Sequence, residues 1–388
     1  MPRFAPLLLA LLVSAASAQT VTVETIVPAG SAIDDALALG PDGALYGSRF
    51  GTFDPFEPGT TVTRVDLSDG STSVYARGFS YTNGLAFADD GALFVASYYD
   101  TKLEGGRVSR VGPDGTITTR ASAGRRVTVS GLAVHPTTGV LYVTSYDAGW
   151  VRTLSEGGAF EDVVSGRPLN GPAGLAFDDQ GRLHVANFED GKIFRVEDGA
   201  LVPLADLQTA VGFLAYGGGR FFATGIRSHR VYAITEAGEV SVLAGAGVAG
   251  TTDGPGERAR FDRPNGIAVT PDGSTIYVSE AGSRAVRRIV VSGVTADEAG
   301  PAPVAALLPM APNPAGAATT VRFRLGAPGP AELLVYDALG RRVRQFASGP
   351  HRAGLHAVAL DMAGLASGAY VVTLRHAGGV ESLPFVRR

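Results

Sequence analysis

The chain has 388 residues, of which 45% are apolar and 18% charged, enough apolar material for a sizeable core and, on length, for two domains. Its formal net charge of −4 supplies no basic field, which argues against nucleic acid as a partner. Cysteine is absent, so disulfides and a thiol nucleophile are excluded and the fold has to be held by burial.

At the amino end, Arg3 precedes an apolar run from Pro6 to Val13, and the small residues Ala16-Ser17-Ala18 stand before Gln19. This is the pattern of a secretory signal with an A-x-A cleavage site over residues 1–18, too short to span a bilayer. With no other long apolar run, the expectation is an exported protein with no transmembrane segment, secreted or attached to the outer cell surface.

Val21 to Val27 then alternates as a strand, and after it one phrase recurs six times. The phrase is a Gly-apolar-Ala-apolar strand, a polar turn usually built on Asp-Gly, and a strand of the form apolar-aromatic-Val. Copies open at Ala36, Gly84, Gly131, Gly174, Gly212 and Gly266. Such spacing is the period of a four-stranded propeller blade, and the Asp-Gly pairs supply the positive φ of its tight turns. The sixth copy stops one strand short at Val291, so the strand from Val21 to Val27 is predicted to complete it and close the ring. The fold class is therefore all-β: a six-bladed β-propeller over residues 19–292, followed by a small immunoglobulin-like β-sandwich. Composition shifts to Ala, Pro and Gly over residues 293–309, read as a linker. Short alternating runs return over residues 310–388, at Thr320 to Leu325, Glu332 to Asp337, Gly354 to Leu360, Ala369 to Arg375 and Ser382 to Val386.

Strands alternate in direction within a blade, so the loop leading into strand one and the loop between strands two and three share a face. The residues just before the repeated strand, Asp35, Asn83, Ser130, Ala173, Val211 and Asn265, are expected near the central channel on that face. Asn265, Asp35 and Asn83 come from the sixth, first and second blades, neighbours once the ring closes. The second-to-third strand loops add Phe50, Phe53 and Phe56 of a long insertion, with Tyr98, Tyr99, Tyr146, Phe188, Arg227 and Glu280. Aromatic rings beside polar groups at a channel mouth suit a sugar, peptide or polymer, so an extracellular ligand of that kind is the expected partner. His184 occupies the aromatic position of its repeat and reads as a core substitution. Gly245 to Gly250 satisfies G-x-G-x-x-G, but no helix follows it, so it reads as a loop.

Within Leu243 to Ile289, Ala244-Gly245, Asp253-Gly254, Ala259-Arg260-Phe261, Pro264 to Val269, Asp272-Gly273, Tyr277-Val278 and Arg287-Arg288-Ile289 stand in a fixed order. That stretch closely resembles an NHL repeat, and the propeller as a whole resembles the senescence marker protein and gluconolactonase superfamily. The resemblance implies that carboxylate and amide oxygens at the blade mouths could hold Ca²⁺ or another divalent metal, here with Asp35, Asn83 and Asn265. Ser130 and Ala173 stand where the family would offer further ligands. Two activities stay open: a binding module, or a metal-dependent lactonase or lyase. A structural spacer in an extracellular matrix is a third reading.

The tail carries Pro312-Asn313-Pro314, Val335-Tyr336-Asp337 with Leu339-Gly340-Arg341, Ala353-Gly354-x-His356, Leu365-Ala366-Ser367-Gly368-x-Tyr370 and a basic end at Arg387-Arg388. It resembles the type A C-terminal sorting domain of the type IX secretion system. This implies that the tail engages that machinery, with Gly340, Arg341, Gly354, Gly368 and Tyr370 as sorting-motif positions, and that such tails are usually removed.

Overall fold

The computed structural model describes residues 19–53, 56–99, 105–292, 305–307, 318–325, 329–337, 341–351, 354–376 and 379–388. The expected signal segment and most of the expected linker lie outside them. All regular structure there is β, and no helix is long and apolar enough to cross a membrane.

The repeated phrase folds as read. Each copy supplies the two innermost strands of a sheet whose four strands follow one another in antiparallel order, as in Thr82–Phe87, Leu93–Tyr99, Gly105–Val111 and Ile117–Ser122 of blade two. The inner strands are Leu37–Leu39, Thr82–Phe87, Val129–Val134, Pro172–Phe177, Val211–Gly217 and Pro264–Val269. Each packs on the next and the last packs on the first, so the six sheets close a ring.

Closure uses the amino-terminal strand as expected. Thr20–Val27 pairs antiparallel with Val286–Ser292, from Thr20 opposite Ser292 to Val27 opposite Val286, and buries Val23 and Val27. A contact not read from the sequence covers its other side, where Gly254–Pro255 pairs with Thr22 and Val23. The strand is thus held between two parts of blade six, and the exposed edge that an unclosed ring would leave is gone.

Why the repeat opens on glycine becomes clear at the seams between blades. A Cβ placed on Gly131 would lie 1.8 Å from the Ala173 carbonyl oxygen, one on Gly84 2.1 Å from that of Ser130, and one on Gly266 2.0 Å from that of Asp35. At these three seams, and at Gly212 against the Asn265 carbonyl, one blade presses a backbone carbonyl onto the glycine of its neighbour, an approach only glycine permits. Bulges at these positions free backbone donors, and side-chain hydroxyls of the second strands take them up. Gly131 N donates to Thr144 Oγ1 at 2.7 Å and Gly266 N to Ser279 Oγ at 2.9 Å. Ser279 Oγ in turn donates to the Asp35 carbonyl at 2.5 Å, tying blade six to blade one.

The separate pieces of the NHL phrase meet around one side chain. Arg287 is fully buried. Its Nη1 donates to Glu280 Oε1 and the Arg260 carbonyl, both at 2.8 Å, and its Nη2 to Asp253 Oδ1 at 2.6 Å and the Thr252 carbonyl at 3.1 Å. The guanidinium also lies over the Phe261 ring, 5.1 Å from its centre. Asp253 completes the latch by accepting from Thr25 N at 3.1 Å and Thr25 Oγ1 at 2.9 Å on the amino-terminal strand.

The second domain is a two-sheet sandwich. One sheet runs Ala305–Leu307, Ala318–Leu325, Gly354–Asp361 and the other Arg342–His351, Gly329–Asp337, Gly368–His376, Gly379–Arg387. Val321, Phe323, Leu333, Val335, Val372 and Phe385 share its core. Two expectations are corrected here. Ala305–Leu307 pairs with Phe323 to Leu325, so the domain begins inside the stretch read as a linker. Arg342–His351 is a full strand that the sequence did not announce, because Gly349 and Pro350 interrupt its alternation. Of the sorting-motif positions, Arg341 is fastened to Asp337 at 2.8 Å across the turn between two strands, and the Tyr370 hydroxyl donates to the Ala366 carbonyl at 2.7 Å. Gly354 pairs with Leu325 and Gly368 with Arg387. Gly340 lies outside the described residues.

Replacing Arg287 by Met leaves Glu280 buried without its cation, and removing one partner of a buried pair costs about 3 to 5 kcal/mol. Urea denaturation is expected to show that loss for Arg287→Met. Arg288→Met, whose ion pair with Glu24 is solvent-accessible, costs about 1 kcal/mol or less.

Candidate functional site

The blade-one mouth holds two adjacent acids. Asp34 Oδ1 accepts from Phe50 N at 2.6 Å, with Arg49 Nε 4.0 Å from its other oxygen, and burial raises its pKa above the usual carboxylate range. Asp35 is 4% exposed. Burial, and next the neighbouring Asp34, push its pKa well above that range. Asn265 joins it from blade six, its Nδ2 donating to Asp35 Oδ1 at 2.9 Å and to the Asp34 carbonyl at 3.2 Å. Two acceptors around one amide group fix its orientation, since the reversed amide would set an oxygen against both.

These residues do not assemble an oxygen cage. Asn265 offers Asp35 a donor, and the buried Asn83 side chain bonds neither of them and has no hydrogen-bond partner among the described residues. No group of three or more His, Cys, Asp or Glu among the described residues could hold a metal ion, whereas Ca²⁺ takes six to eight oxygens. Asn265 turns its amide nitrogen rather than its oxygen to Asp35, so these two meet as a donor and an acceptor. What brings Asp35 and Asn265 together is the seam between blades six and one.

Further out, two aromatic groups sit on the rim. Phe50 packs at 5.3 Å on the buried Tyr81, which lies 6.3 Å from Tyr98. On the blade-three and blade-four side, Tyr146 and Phe188 meet edge to face at 5.7 Å. The Tyr146 hydroxyl donates to Glu189, and burial, then that carboxylate, push its pKa up to about 12. Phe50, Tyr98, Tyr146 and Phe188 are all half-buried, so part of each ring faces solvent, and Arg227 is exposed beside them. The side chains of Phe53, Phe56 and Tyr99 lie outside what the structure describes. Glu280 is a correction: it was expected on the open face, yet it is fully enclosed as the partner of Arg287 and Ser283, because the loop from Gly245 to Phe261 folds over it.

One property of this face was missed. Among the described residues seven non-glycines have positive φ, and six of them, Tyr81, Arg126, Gln208, His229, Arg263 and Arg284, stand in its loops; Asp198 is on the opposite face. Such conformations cost of the order of 1–3 kcal/mol for bulky residues and gather where a surface is held for a purpose. The repeat did carry a signal. Gly149 and Gly191 occupy the loop position of His229 and Arg284, and Gly171 that of Tyr81 and Arg263, all with positive φ.

His184 behaves as expected of a core residue. It is 2% exposed, packs at 4.3 Å on Phe221, and burial lowers its pKa to about 4. The Gly245 to Gly250 segment is a loop, with Gly245 N bonded to the Gly256 carbonyl and Gly250 N to that of Phe261.

No protein-family model and no curated protein sequence matches the chain. Solved structures do match in shape. An auxiliary nutrient binding protein from Bacteroides thetaiotaomicron is 16% identical with a TM-score of 0.57, over 71% of this chain and 77% of that one. The aldose sugar dehydrogenase of Streptomyces coelicolor, solved with bound PQQ, is 17% identical with a TM-score of 0.55, over 71% and 99%. A gluconolactonase from Xanthomonas campestris is 16% identical with a TM-score of 0.53, over 69% and 89%. At these identities the likeness establishes the propeller fold alone, which hosts binding proteins and enzymes alike.

Because burial, and next the neighbouring Asp34, raise the pKa of Asp35, the folded chain binds more protons than the unfolded one between about pH 4 and the raised value. The associated stability is full below that window and is lost as pH rises through it. The urea midpoint of the parent protein, compared with that of Asp35→Asn, is expected to fall as pH rises above about 4. Parallel profiles for the two proteins would show that Asp35 is ionised when folded.

Proposed function

We propose that the chain is an exported propeller that binds an extracellular ligand, a glycan, peptide or polymer, on its channel-mouth face. The observation that carries this is the coincidence on one face of half-exposed rings, an exposed arginine and six of the seven strained non-glycine residues. Aromatic anchors beside a few convergent polar groups are what a binding site needs. The bond from Asn265 to Asp35 uses these two residues in the seam between blades, which weighs against the lactonase or lyase alternative.

Binding is tested by screening the purified protein against glycan and peptide panels. At least one ligand is expected to bind, and Tyr98→Ala or Phe188→Ala should weaken it about tenfold, roughly 1.4 kcal/mol. Lactone hydrolysis with stoichiometric Ca²⁺ or Zn²⁺, both lost in Asp35→Ala, would replace this reading by the metal-dependent enzyme. A face inert in every screen would leave a structural spacer.

The route of export belongs to the same proposal. The signal segment would take the chain across the inner membrane, and residues 310–388, acting as a type IX sorting domain, would engage the type IX machinery for passage to the outer surface. Its support is the set of tail motifs and the two-sheet sandwich they fold into. Cell fractionation should find a variant lacking residues 310–388 retained in the periplasm; its appearance outside the cell would remove the tail from the export route.

A further inference from the structure

Two seams round the ring from Asp35, a cleft of about 430 Å³ opens between blades four and five on the channel-mouth face. Its volume lies in the lower part of the range of about 300 to 1,000 Å³ typical of small-molecule sites. Glu189 and Asp190 line it from the second-to-third strand loop of blade four, Asp206, Gln208 and Thr209 from the lead-in to blade five, and Arg227 from the corresponding loop of blade five.

The polar groups here are only partly spent on one another. Asp190 is committed inward, accepting from Asn187 Nδ2 at 3.0 Å and pairing with Lys192 at 3.6 Å. Glu189 gives one oxygen to the Tyr146 hydroxyl, and Asp206 gives one to Gln208 N at 2.9 Å, leaving each with an oxygen not bonded to any described residue. Arg227 has no hydrogen bond or ion pair among the described residues. The Thr209 hydroxyl is enclosed without a partner, although a buried polar group ordinarily has one. The bond from Gln208 N to Asp206 also holds Gln208 at a φ of 52°, so this wall is set in advance of any ligand.

Resting on the reading of the face as a binding surface, we propose that this cleft takes one or two units of a neutral saccharide. Three carboxylates and two cations line it, so a net anion meets the acids and a net cation meets Arg227 and Lys192. A sugar hydroxyl both donates and accepts, so neighbouring hydroxyls of one ring can donate to Asp206 and Glu189 and accept from Arg227. The half-exposed Phe188, braced by Tyr146, precedes Glu189 on the same blade-four loop and offers an apolar ring beside the cleft residues in the chain.

The test is calorimetric titration of the purified protein with maltotriose, cellotriose and mannotriose, beside a trimer of glucuronic acid and a charged tripeptide. At least one neutral trisaccharide is expected to bind, weakened tenfold or more in Arg227→Met and in Asp206→Asn and unchanged in Arg288→Met, whose ion pair with Glu24 lies outside the cleft. Both cleft positions are exposed, and thermal melts confirm that the variants stay folded. Neutral-sugar binding that survives both cleft variants but falls in Tyr98→Ala overturns the cleft and keeps the broader reading of the face. Preference for the acidic trimer or the peptide overturns the ligand class. Failure of every neutral trisaccharide overturns the inference, and silence from the charged probes as well tells against the binding face itself.

Discussion

Closure of the ring through Arg287 is the constraint on which the rest depends. A guanidinium with no solvent exposure is tolerable only where carboxylates and carbonyls surround it, and here Glu280, Asp253, Arg260 and Thr252 do so at 2.6 to 3.1 Å. Three of these partners come from the long loop of blade six and Glu280 from the end of its second strand, and Asp253 carries the linkage on to Thr25. One buried cation thus fixes the long loop, the third strand and the amino-terminal strand in a single arrangement, and any other register of that strand would leave Asp253 or Thr25 without its partner.

The mouth of the channel inherits its geometry from that closure. With the sixth sheet complete, Ser279 reaches the Asp35 carbonyl and Asn265 reaches its carboxyl, so the residues nearest the channel at this seam serve cohesion between blades. The contacts at Gly84, Gly131, Gly212 and Gly266 repeat the same logic, with a carbonyl of one blade seated where its neighbour has no side chain. Backbone packed this closely leaves little freedom for a cation cage, and chemistry-bearing groups are displaced outward to the loops.

Those loops divide into two regions. Phe50, Tyr81 and Tyr98 make an aromatic edge over blades one and two, whereas Glu189, Asp206 and Arg227 line the cleft across the ring, with Tyr146 bonded to Glu189 and packed on Phe188. The strained residues span both, and a propeller can hold them because its sheets over-determine the loop ends.

Much of this was legible in the residues. The repeat gave the sheets, their order and the strand that completes the last one, because alternation and Asp-Gly turns are local and recur at a regular interval. The NHL phrase was visible as a string, but its cause was not: Asp253, Phe261, Glu280 and Arg287 meet only when the blade folds. Glu280 was misplaced for that reason, since an acid in a turn reads as exposed until a distant loop covers it. The strand Arg342–His351, which carries no clean alternation, was likewise set by its neighbours. Sequence by itself determined the architecture, since period and polarity are properties of consecutive residues. Tertiary structure alone decided which polar groups are spent on cohesion and which remain free to meet a ligand, because that depends on distances between blades.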